Sequence, residues 1–196
     1  EIYEKAADGS RVLFRSNPQD SLYGWRRSEL IRYKNSGGEH LKGVLAYPFD
    51  YDPSKKYPMI VYVYETQGHM LHSYSRPTMA NSAGFNRTVF ASHGYFILYP
   101  DITYEVGNPG FSAADCVIAA TREAINNPNI DSARIGITGT SFGGYETTFI
   151  IGQTDMFRAA ASGASITDLT SSYLSLGMNY SRPEFWRFEN DQTRMG

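Results

Sequence analysis

The chain has a single cysteine, Cys116, in 196 residues, so no internal disulfide can form. That fits a reducing compartment, but many extracytoplasmic proteins also do without disulfides, and the compartment stays open. An excess of either charge is missing too. The formal net charge of -2 gives no electrostatic ground for binding nucleic acid. No apolar run approaches the roughly 20 residues that a membrane-spanning helix needs. A signal peptide is absent, yet the chain opens at Glu1 and not at a methionine, so this decides nothing. There is no internal repeat and no low-complexity tract. Histidine is scarce and one-sided: His40, His69, His72 and His93 are all there is, and none lies beyond residue 93. The spacing His69-x-x-His72 has no further ligand with it and makes no case for a metal site.

What is present describes one globular domain. A hydrophobic fraction of 41% beside 19% charged residues supports a good core, and the length is too short for two comfortable domains. From Leu41 onward, strand-like and helix-like segments alternate. Residues 41–47 alternate in polarity, while 59–64 and 95–99 are continuous apolar and aromatic runs, as expected of strands buried on both faces. Helices are expected near 85–92, over 112–126 and from 144 to 152. Further strands are expected at 134–138 and 157–162, with a turn at 131–134 and a glycine-rich loop at 104–110. This order predicts an α/β fold, a mostly parallel sheet with helices on both faces. Residues 1–36 hold short extended pieces and the polar break Ser16-Asn17-Pro18-Gln19-Asp20, and they read as the tail of one unit running into another that fills 37–196. Residues 167–196 have no clear period and mix Tyr173, Tyr180, Phe185, Trp186 and Phe188 with polar residues, as an aromatic loop over a site would, or a segment that needs neighbours to order it. Cys116 sits in an alanine-rich stretch that reads as a buried helix face rather than a catalytic thiol.

The segment 135–145, IGITGTSFGGY, places Ser141 between Gly139 and Gly143, after an apolar run and before a stretch that can be helix. That is the pattern of a nucleophile elbow. A serine on a sharp strand-to-helix turn is held in a strained backbone conformation, and side chains two positions to either side would collide with it. Glycine at both positions removes the collisions. The same turn would aim the N–H of Phe142 at the negative charge of a tetrahedral intermediate. A glycine-rich turn with an ordinary surface serine is the alternative, against which the flanking strand and helix argue.

Several blocks occur in one order: 55–61 leading to Tyr64, 94–96 through Pro100-Asp101, Gly110-Phe111-Ser112, 139–145 and 168–173. Together they resemble the catalytic domain of the prolyl oligopeptidase family of serine peptidases, which includes dipeptidyl and acylaminoacyl peptidases. The resemblance runs from about Arg11 to Gly196. It implies an α/β-hydrolase fold, here incomplete at the C-terminus, after a β-propeller of which residues 1 to about 16 would be the last remnant. Also implied are Ser141 as nucleophile, an oxyanion hole shared by the Phe142 N–H and the Tyr64 hydroxyl, a peptide substrate and no cofactor. Tyr173 resembles an aromatic that walls the pocket for the residue before the scissile bond; plain aromatic packing is its other reading, as an interior aromatic is for Tyr64. The resemblance leaves homo-oligomerisation open and leans toward an extracytoplasmic location. At two places the chain departs from the family: Glu65-Thr66-Gln67-Gly68 stands where small residues and proline are usual, and Thr140 stands where a larger polar residue is.

Serine needs an adjacent base, normally a histidine oriented by a carboxylate. In this fold the chain order is serine, acid, histidine, and no histidine follows Ser141. Without one, Asp155, Asp168 and Asp191 have nothing to orient. The family's acid and base are therefore expected beyond Gly196, in a chain inactive alone, whose strand at 157–162 lies at an open sheet edge. His69 and His72 follow Tyr64 closely enough for a loop to carry them to the site; a solvated loop pair is the alternative. Two other functions stay open, an α/β-hydrolase esterase and a non-catalytic binding or accessory domain that has lost its base.

Overall fold

The structure, a computed structural model, describes residues 2–6, 9–14, 27–73, 75–78, 80, 81, 83–177 and 182–190. The first two strands, β1 (Ile2–Ala6) and β2 (Gly9–Phe14), form an antiparallel hairpin. The main sheet has six strands: β3 (Ser28–Lys34), β4 (His40–Ala46), β5 (Tyr57–Val63), β6 (Phe96–Pro100), β7 (Ile130–Thr140) and β8 (Ala159–Gly163), in the spatial order β3-β4-β6-β5-β7-β8. The β3–β4 and β4–β6 pairs are antiparallel, and the rest of the sheet is parallel. β8 is the outer strand on the parallel side, with four of its five residues exposed.

β3 pairs with β4 along its whole length, from Ser28 opposite Ala46 to Lys34 opposite His40, so residues 28–34 are part of the main sheet. β3 carries polar residues on an exposed face and places only Tyr33 fully inside, with Ile31 packed against the core. An edge strand of this kind lacks the continuous apolar run that marks its neighbours.

Two cores sit on the two faces of the sheet, and the period of two along each strand deals residues between them. Met59, Val61, Val63, Phe96, Leu98 and Leu45 face the larger core, shared with α2 (Pro109–Ala124) and α3 (Phe142–Ile151); Val44, Ala46, Ile97 and Tyr99 face the smaller, shared with α1 (Arg87–Ser92) and a 3-10 turn at Gly68–His72. β6 is buried throughout, as its apolar run predicts. In β5 only one face is fully closed, while Ile60 and Tyr62 are half-buried.

Helix α2 starts earlier than expected because Pro109 sits in its first turn, where a missing N–H leaves no bond unmade. The expected turn at 131–134 is folded into β7 as a bulge. Tyr57 pairs with Ile130 and Met59 with Ile135, so Pro58 alone stands opposite residues 131–134. Pro58 has no N–H to offer the partner strand, and Asp131 holds the bulge by accepting from Ala133 N at 3.0 Å and Arg134 Nε at 2.6 Å. Beyond β8 the described residues form short elements, α4 (Leu169–Tyr173), β9 (Leu176–Gly177), β10 (Arg182–Pro183) and α5 (Phe185–Asn190). Tyr180 and Asp191 lie outside the described residues.

Candidate active site

Strand β7 leaves the core at Thr140, and α3 begins at Phe142, so Ser141 alone makes the turn between them. Its backbone has φ 61° and ψ −120°, a region that residues with a Cβ rarely enter. Neighbours on both sides hold it there. Ser141 N donates to Gly163 O at 2.9 Å, and Ser141 O accepts from Gly144 N at 2.9 Å and Tyr145 N at 3.1 Å. Glycine is required around the turn for steric reasons. A Cβ on Gly139 would overlap the Gly143 carbonyl, one on Gly143 would overlap the Val63 carbonyl, and one on Gly144 would come within 2.7 Å of Gly163 O. The serine side chain is exposed and makes no hydrogen bond among the described residues.

Phe142 opens α3 with its ring buried, 6% exposed, against Tyr104 and Tyr145 at centroid distances of 6.3 and 5.3 Å. Tyr64 follows Val63, which ends β5 and pairs with Gly139. Its ring lies beside the elbow, since a Cβ on Gly143 would stand 3.1 Å from Tyr64 Cδ2. At 39% exposure the ring is open to solvent rather than interior. Ser141, Phe142 and Tyr64 are thus brought together at the carboxyl ends of β5 and β7, where open α/β sheets place their sites.

Tyr173 makes its contacts with α5. Its hydroxyl donates to Glu189 Oε1 at 2.5 Å, and its ring meets Phe185 and Phe188, in a knot between α4 and α5. The bond to Glu189 raises the pKa of the phenol. Asp168 caps α4, accepting from Ser171 N at 3.1 Å and Ser171 Oγ at 2.6 Å, and those bonds hold its carboxyl below the usual range. The 3-10 turn carries His69 and His72 toward β3 and β4, on the antiparallel side of the sheet. His93 caps α1, with Nδ1 2.7 Å from Val89 O. No histidine hydrogen-bonds Ser141 among the described residues.

The structure gives roles to residues for which the sequence alone supplies none. Glu146, fully buried in α3, accepts a short hydrogen bond from the Tyr104 hydroxyl, so the ring behind Phe142 is itself held from the helix. A glutamate in the middle of an apolar helix was the available signal. Gly110 lets α2 cross α3 closely, since a Cβ there would lie 2.8 Å from the Phe149 ring and the Tyr145 hydroxyl. Asp101, just past β6, accepts from the N–H groups of Gln67 and Gly68 in the loop after Tyr64. Its signal was the Pro-Asp pair at a strand end.

Comparison with known proteins follows the same outline. Residues 81–195 match the model of the prolyl oligopeptidase family. The uncharacterized peptidase YuxL of Bacillus subtilis is 31% identical over 170 residues, which are 83% of this chain and 25% of YuxL. The chain thus spans about a quarter of the length of the curated relatives it matches. The crystal structure of Porphyromonas gingivalis dipeptidyl peptidase 4 superposes with a TM-score of 0.62 at 27% identity, over 79% of this chain and 23% of that one. Pyrococcus horikoshii acylaminoacyl peptidase shares the fold, with a TM-score of 0.65 at 24% identity, over 86% of this chain and 28% of that one. The α/β-hydrolase sheet, the serine turn at its carboxyl edge and the match across residues 81–195 agree, and the chain belongs to the prolyl oligopeptidase family.

Proposed function

We propose that Ser141 is the nucleophile of a serine peptidase acting on short peptides. Ser141 Oγ attacks the scissile carbonyl carbon while its proton passes to a base, the amine leaves with that proton, and water then hydrolyses the acyl-enzyme. The Phe142 N–H and the Tyr64 hydroxyl stabilise the oxyanion. The base and its orienting carboxylate come from outside these 196 residues, since no histidine follows Ser141. The observation that carries this reading is the serine held at φ 61° on a strand-to-helix turn, exposed, with three glycines making room for it. Tyr173 and its knot with α5 wall the pocket for the residue before the scissile bond. The hairpin β1–β2 is the last piece of a preceding β-propeller, in keeping with its antiparallel pairing.

The test is steady-state kinetics of the natural protein that contains this chain, with dipeptidyl and acylaminoacyl amides as substrates. Ser141→Ala is expected to lower kcat by on the order of 10⁴ or more while the protein stays folded. Unchanged turnover by the variant would overturn the proposal, and hydrolysis confined to activated esters would replace the peptidase with an esterase.

A further inference from the structure

We infer that Asp101 is a positioning residue that sets the oxyanion tyrosine; the inference rests on the reading of Tyr64 as an oxyanion donor. The segment 64–68 must leave β5, turn and return within a few residues. Glu65 makes that turn at φ 33°, in the left-handed region that suits glycine and costs a residue with a Cβ. Such a conformation persists only where the surroundings over-determine it.

Asp101 supplies much of that determination. Its Oδ1 accepts from Gln67 N at 2.5 Å and from Gly68 N at 2.7 Å, two hydrogen bonds of the strong, charge-assisted kind. Gly68 leaves room for the carboxylate, since a Cβ there would stand 3.3 Å from Oδ2. The next residue joins in, with Ile102 N donating to Glu65 O at 3.0 Å. Gln67 is buried and closes the loop on itself, its Nε2 donating to Tyr62 O at 2.8 Å. Tyr64 is therefore held on one side by Val63, paired with Gly139 in the sheet, and on the other by the clamp.

The clamp is itself fixed to the sheet. Asp101 N donates to Lys42 O at 2.8 Å, and Asp101 O accepts from the hydroxyl of buried Tyr33. The carboxylate thus ties the tyrosine's loop to β3 and β4, which are far from the elbow in the sheet order. Asp101 touches no reacting atom in this account. It acts by holding the backbone from which Tyr64 reaches the oxyanion, and a donor misplaced by about 1 Å loses much of its effect.

A double-mutant cycle on the natural protein tests this. Tyr64→Phe is expected to lower kcat by about 10² to 10³. Asp101→Ala is expected to lower kcat at least about tenfold with KM within about twofold, and to add less than about twofold once Tyr64→Phe is present, because both changes remove one group's action. Asp101→Asn, which keeps the shape and one acceptor, is expected to recover most of the activity, with any remaining loss confined to the Tyr64 background. It decides the question if the alanine variant fails to fold. Equal loss in both backgrounds, or no loss from Asp101→Ala where Tyr64→Phe is impaired, would overturn the role of Asp101 alone. Unimpaired kcat in Tyr64→Phe would overturn the reading of Tyr64 and the inference with it.

Discussion

Ser141 shows how much of a site can depend on the atoms its neighbours lack. The turn brings the carbonyls of Val63 and Gly163 against the start of α3, and glycine at 139, 143 and 144 is what the crowding permits. Gly143→Ala is therefore expected to displace either the elbow or β5, lowering stability by about 1–3 kcal/mol and kcat by at least about 10². Gly136→Ala is the matched control, since its Cβ would meet only Ala159 O at 3.5 Å, and it is expected to keep kcat within about twofold. Thermal unfolding and kinetics of the two variants check this. Ser141, Gly139 and Gly143 are legible because the turn pattern itself spans five consecutive residues, although the carbonyl that a Cβ on Gly143 would meet belongs to Val63. Gly144 and Gly110 were present in the motifs, but their reasons were hidden. The atoms they avoid belong to residue 163 and to the far turn of α3, which no local pattern connects with them. The role of Asp101 was hidden for the same reason, its partners being at 67 and 68.

Among the elements, those buried deepest were the easiest to read. β6 is closed on both faces and its run of apolar residues shows it, whereas β3 was missed because its outer face is polar. Residues 131–134 read as a turn from sequence, because their strand character exists only in register with β5. Helix α1 is short and leans on its cap. Asn86 accepts from Val89 N at 3.0 Å while its Nδ2 donates to Arg76 O at 2.8 Å, and its side chain is buried. Asn86→Ala is expected to cost about 1–2 kcal/mol, a fall of roughly 2–8 °C in the unfolding midpoint, measurable by calorimetry. The bulge and the α4 cap share an acid weakness. Hydrogen bonds from Arg134 to Asp131 and from Ser171 to Asp168 hold both carboxyls below the ordinary aspartate value of 3.8. With the folded pKa depressed, the stabilisation is present above pH 3.8 and is lost as the pH falls through the folded values. The unfolding midpoint is expected to drop below about pH 4, and less steeply in Asp131→Asn.

Across the whole molecule, the two-faced core buries tyrosines whose hydroxyls must stay protonated. Burial, reinforced by neighbouring carboxylates, raises Tyr33; burial raises Tyr99; and burial with the bond to Glu29 pushes Tyr47 up to about 12. All three therefore titrate above the ordinary tyrosine value of 10.0. The stabilisation is therefore complete below pH 10 and is lost as the pH rises toward the folded values. Melting curves from pH 8 to 12 are expected to hold level to about pH 10 and then fall, and Tyr47→Phe is expected to soften that fall. On the parallel side the sheet ends at β8, whose row of exposed small residues offers an unpaired edge among the described residues. The α/β class and the parallel order were legible, because strand and helix periods alternate from Leu41 onward. The catalytic base was not, since no histidine follows the serine and none reaches it among the described residues. Fluorophosphonate labelling of the natural protein that contains this chain, with the adduct located by mass spectrometry beside a Ser141→Ala control, reads out the nucleophile itself. One adduct on Ser141, absent from the control, is the expected result. Labelling that persists in Ser141→Ala, or that falls on another residue, would contradict the account.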